Sequence, residues 1–145
     1  MSFVYSVKFV CGIQNPSPTC TPVRQGAYST EINIHNFHQP GGPPAHIQKR
    51  ILLLVNNNQT VGLEPHIANA QNFANITLPP DTATMDDCCN LGPNFAPNAL
   101  NIGFLELVSD VPVNVTAVYT ATEVTSSGVG TGISIDVQSI IPQQA

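Results

Sequence analysis

Phe3-Val4-Tyr5-Ser6-Val7-Lys8-Phe9 alternates apolar and polar side chains with a period of two, as a half-buried β-strand does. Phe3, Tyr5, Val7 and Phe9 share one face; Val4, Ser6 and Lys8 share the other. The same period recurs down the chain. Ile32 and Ile34 alternate with Glu31, Asn33 and His35, and Ile47, Ile51, Leu53 and Val55 alternate with His46, Gln48, Arg50 and Leu52. A Pro-stopped piece ends at Ile76-Thr77-Leu78. Then follow Ile102, Phe104, Leu105 and Leu107; Val113, Val115, Ala117 and Tyr119; and Ile133, Ile135 and Val137. About seven or eight strands result.

Turn-forming clusters separate them: Asn15 to Pro22, Gln39 to Pro44, Asn56 to Asn58, Pro79-Pro80-Asp81, Gly92 to Pro97, Asp110 to Pro112 and Ser126 to Gly132. Strands at this spacing predict an all-β chain, a single antiparallel β-sandwich or jelly-roll-like domain over residues 1–145. Only Thr82 to Leu91 reads as a short helix, with Asp81 as N-cap and Gly92 as its stop. If the Ile32 and Ile47 strands pair with their isoleucines inward, a register summing to 81 sets His35 opposite His46, Asn33 opposite Gln48 and Glu31 opposite Arg50.

Charge is scarce. Nine acidic and four basic residues among 145 give a net charge of −5, roughly a third of the usual share of charged residues. Lys8, Arg24, Lys49 and Arg50 are too few to neutralise a phosphate backbone, so nucleic acid is not an expected partner. No apolar run approaches the roughly 20 residues of a membrane helix, and membrane insertion is not expected. Weak repulsion between copies favours a homo-oligomer. Residues 1–8 have neither the basic region nor the apolar core of a signal peptide. The surface of Asn, Gln, Thr, Ser and Pro leans toward an extracellular or particle-associated setting.

Cys11, Cys20, Cys88 and Cys89 allow three full pairings, and spacing alone does not choose among them. Cys11 and Cys20 are the disulfide candidate in an oxidising compartment, since a bridge there ties a Pro-rich loop, and Cys88-Cys89 is then expected to stay reduced. Free thiols or a soft-metal site at the adjacent pair are the alternatives. His35, His38 and His46 bracket the Gln39–Pro44 loop and converge in the register above, which makes them candidate ligands for a transition metal. Glu31 lies about 13 Å along the strand from His35 and would join them only if the chain bent.

Other chemistry finds little support. There is no Gly-x-Ser-x-Gly elbow, and Asp86 and Asp87 beside Cys88 oppose an activated thiolate; these carboxylates read as capping or solvating a helix turn. Glu106, flanked by apolar residues, reads as an outward position. Gly128-Val129-Gly130-Thr131-Gly132 lacks the phosphate-cradling pattern. Three glycosylation sequons, at Asn58, Asn75 and Asn114, carry no weight in a chain with 14 asparagines.

Thr30-Glu31-Ile32-Asn33-Ile34-His35-Asn36, the Ile47 to Val55 strand, Ile76-Thr77-Leu78-Pro79 leading to Asp86, and Phe104 to Ser109 running into Val111-Pro112-Val113-Asn114-Val115 follow one another in an order that resembles the sensory rhodopsin transducers, a family of small β-sandwiches. The resemblance covers about residues 28–121. It implies an oligomeric, non-catalytic sandwich that works by binding other proteins. The expected function is therefore a structural, self-assembling or adaptor module. The rival classes are a small metal-dependent enzyme using His35, His38 and His46, and a carbohydrate or small-ligand domain, the latter poorly served by three tyrosines and no tryptophan.

Overall fold

The computed structural model describes residues 1–17, 19–125 and 128–145. Ten strands and one helical turn occur among them: β1 (Phe3–Gln14), β2 (Gly26–Asn36), β3 (Ala45–Asn56), β4 (Gln59–Thr60), β5 (Gln71–Leu78), β6 (Thr82–Asp87), α1 (Cys88–Leu91), β7 (Asn101–Ser109), β8 (Asn114–Thr125), β9 (Gly128–Ser139) and β10 (Gln143–Gln144). All strand pairs are antiparallel, as the alternation predicts.

The strands form two layers. In the first, β3 lies between β5 and β7, and β7 pairs with β1 from Phe3↔Ser109 to Cys11↔Asn101. In the second, β2 lies between β6 and β8, and β8 pairs with β9. β1 joins them, because its last residues, Gly12–Gln14, pair with Gly26–Tyr28 of β2. Gly12 makes this bend: its φ is +102°, and a Cβ there would stand 1.8 Å from the Ala99 carbonyl oxygen. Beside the bend, the Thr30 hydroxyl accepts from Val10 N at 2.9 Å and donates to Val10 O at 3.0 Å.

The inward faces are the ones the sequence pattern selects. Tyr5, Val7, Phe9, Ile32, Ile34 and Ile47 are all buried in one core shared by both layers. Tyr5 also satisfies its polar end there, donating to Val113 O and accepting from Val113 N, both at 2.8 Å. At the β3–β4 hairpin, Asn57 (φ 47°) and Asn58 (φ 71°) form a two-residue turn with both residues left-handed, as such hairpins require.

Several expectations are corrected. β2 and β3 do not pair; inward isoleucines meet across the two layers rather than along one ladder, so the register summing to 81 does not exist. Arg50 lies opposite Glu106 on β7 and binds it, instead of Glu31. The Thr82 to Leu91 segment is a strand followed by a four-residue turn of helix. Asp87 rather than Asp81 caps it, accepting from Cys89 N at 2.9 Å and Asn90 N at 3.1 Å, and Gly92 ends it as expected. Cys11 is bonded to Cys88, not Cys20; Cys20 and Cys89 are free and exposed. The reason is topological: β1 and β6 follow one another along the same edge of β2, which brings Cys11 beside the start of α1, while Cys20 lies on the surface. β9 begins at Gly128, within the segment predicted as a Ser126 to Gly132 loop, and Ser126 and Ser127 lie outside the described residues.

Candidate interaction surface

The three histidines do not converge. His35 faces outward on the second layer, paired with Ala83 and Asn114, and its Nε2 lies 3.7 Å from Asp81 Oδ1. His46 faces outward on the first layer, with Nδ1 3.2 Å from the Thr77 hydroxyl. The core separates them. His38 Nδ1 is 2.8 Å from Asn36 Oδ1, and its ring stacks on Phe37. Among the described residues, no three His, Cys, Asp or Glu side chains are grouped to hold a metal ion. No described helix is long and apolar enough to cross a membrane.

A different feature departs from what a self-contained sandwich needs. Paired residues in an antiparallel ladder share a face, so β9 can be read from β8. Ala117, fully buried, is opposite Gln138; Tyr119 is opposite Asp136, and Ala121 is opposite Ser134. Polar β9 residues therefore lie on the core side. Ile133, Ile135 and Val137 lie on the outer side, opposite Thr122, Thr120 and Val118, and are 73, 65 and 60% exposed. The polarity of this strand is reversed.

The reversal follows from where the layers end. All of Gly132–Ser139 is exposed, so the second layer extends past the first and no strand among the described residues covers β9. On the core side Ser134, Asp136 and Gln138 border an open groove of about 330 Å³ shared with Lys8, Tyr28 and Tyr119. Gln138 donates to Asp136 at 3.0 Å. Burial, together with the nearby Asp136 charge, raises the Tyr119 hydroxyl above its ordinary pKa, and that hydroxyl donates to Lys8 O at 2.7 Å. Burial also lowers the Lys8 ammonium.

β9 is a lateral edge as well. It pairs with β8 along one side, and no strand among the described residues pairs with the other. Natural edge strands are usually guarded by lysine, proline, bulges or brevity. This one runs twelve residues, has no lysine or proline, and carries one charge, Asp136; its ladder shifts register between Thr122↔Ile133 and Val124↔Val129, where β9 carries two extra residues, and is regular from Ile133 to Ser139. Sequence periodicity found the apolar row Ile133, Ile135 and Val137 but not its direction, which depends on which residues β8 turns inward.

The outer face of the first layer is apolar too, but partly covered. Leu52 and Phe104 are opposite one another, half-buried, with the Lys8 ammonium 4.9 Å above the Phe104 ring and the Arg50–Glu106 pair beside them. Glu106 thus faces outward, as expected.

No protein-family model and no curated protein matches the chain. Among solved structures it is similar to Thermotoga maritima 1070, at 11% identity and a TM-score of 0.46, over 96% of this chain and 90% of that one.

Proposed function

We propose that the protein is a non-catalytic, self-assembling β-sandwich whose exposed β9 edge is completed by a second copy of the chain. The observation that carries this reading is the reversed polarity of β9: an edge strand without lysine or proline whose regular stretch turns Ile133, Ile135 and Val137 to solvent. Such an edge offers unpaired backbone N–H and C=O groups and an apolar row at one place.

A second β9 is a fitting occupant. Antiparallel pairing about a two-fold axis at Ile135 sets Ile133 against Val137 of the other copy, which keeps both apolar rows on one face. Asp136 then lies opposite Ser134, so no like charges are directly opposed. The scarcity of charge across the whole chain lowers long-range repulsion between copies. The resemblance to sensory rhodopsin transducers agrees with a binding role.

The test is substitution within the row. Ile135→Lys places a charge in the contact and is expected to weaken association at least about tenfold, which corresponds to about 1.4 kcal/mol. Met85→Lys, at an exposed apolar residue on the far strand of the same layer, is expected to leave association unchanged. Sedimentation velocity over a concentration series reads both. Equal association of the Ile135→Lys and unsubstituted proteins would refute the β9 assignment.

A further inference from the structure

Lys49 is one of only four basic residues in the chain, and it is buried. It occupies the inward position on β3 between Ile47 and Ile51, with Leu107 and Ala74 as its ladder neighbours. Its Nζ donates to Asp86 Oδ2 at 2.7 Å, and both side chains are 6% exposed. Asp86 belongs to β6 in the opposite layer, beside the fully buried Ile32. The contact therefore crosses the core.

An ion pair is a poor stabiliser in such a place. Desolvation costs several kcal/mol per ion, and an apolar pair of similar volume often does as well or better. Two residues further on, Cys88 is bonded to Cys11 of the first layer. The β6–α1 segment is thus held at two neighbouring points, across the core by Lys49 and at the bend of β1 by a bond that is already covalent.

We infer that Lys49 and Asp86 condense to an amide, a second covalent tie between the layers. One proton passes along the hydrogen bond from Lys49 Nζ to the Asp86 carboxylate, leaving an amine beside a carboxylic acid. The Nζ lone pair attacks Asp86 Cγ, and the Nζ–Cγ bond forms. A second Nζ proton moves to the Cγ hydroxyl, the Cγ–O bond breaks, and one water leaves. Nothing is oxidised or reduced, and no co-reactant is consumed. A contact of 2.7 Å to Oδ2 holds Nζ roughly 3.5 Å from Cγ, within the range from which bound groups react with high effective molarity. Exclusion of bulk water from the pair disfavours the reverse hydrolysis.

Mass spectrometry of the intact, unreduced chain tests this. The expected mass is about 18 Da below that of the chain with its one disulfide, and proteolysis should release a branched peptide joining Lys49 to Asp86. Lys49→Met should restore the missing mass whether or not the variant folds, because the measurement is made on denatured protein. An unshifted mass for the unsubstituted chain overturns the inference. So does a loss that persists in Lys49→Met, or one that maps to a single unbranched peptide, as a cyclic imide at an aspartate would.

Discussion

Asn101 is fully buried, and its side chain organises two loops at once. Its Oδ1 accepts from Asn57 N at 2.9 Å, while its Nδ2 donates to Ala99 O and Asn57 Oδ1, each at 3.3 Å. Asn57 Oδ1 also accepts from Ala96 N, and Asn58 Oδ1 accepts from Leu100 N, both at 2.9 Å. Asn101→Ala leaves the half-buried Asn57 N–H without its partner and empties a buried site, so a loss of about 2 kcal/mol is expected from urea unfolding; a loss under about 0.5 kcal/mol would show that water replaces the amide. The tyrosines make a second residue-scale prediction. Burial raises the Tyr5 and Tyr119 hydroxyls above their ordinary value of 10.0. The folded chain keeps these protons at a pH where the unfolded chain has lost them, so their contribution to stability is fully present below about pH 10 and declines above it. Absorbance titration should show two tyrosines ionising late, and Tyr119→Phe should remove one of them. At this scale the sequence is unevenly readable. The helix cap is expected at Asp81 and found at Asp87, and Lys49, although it shares the parity of the inward Ile47 and Ile51, goes unread as a buried cation. Its partner Asp86 is missed because the segment around it reads as a helix. The histidines fail as a cluster because strand alternation says which way each points, not which layer its strand joins.

The elements themselves are readable for a simple reason: burial on one face imposes the period-two pattern along β1, β2, β3, β7 and β8. Partner choice is not, since Ile32 and Ile47 satisfy the same hydrophobic requirement whether they sit in one sheet or face each other across two. The disulfide shows the same limit, because the Cys11–Cys20 proposal rests on sequence proximity whereas the fold brings together residues 77 apart. Closing so long a loop removes more unfolded-state entropy than closing a short one. Replacing Cys11 and Cys88 by serine together is expected to cost about 3 to 4 kcal/mol in chemical denaturation. Thiol counting on denatured, unreduced protein should find only Cys20 and Cys89. Four free thiols would contradict the bond.

Across the whole molecule, the second layer is longer than the first, and the proposal is that another copy completes it. In the proposed dimer, low charge would permit association, the reversed strand would give it a location, and a two-fold pairing would give it a form. Amide hydrogen exchange along β9, followed as a function of protein concentration, tests place and association together. At high micromolar concentration, alternate amides across Ile133–Ser139 should exchange slowly, because the second copy takes up the outward-pointing N–H groups; on dilution they should lose that protection while β1 and β7 keep theirs. Free exchange of the β9 edge at every concentration, in protein that light scattering finds at 15.4 kDa, would contradict the account.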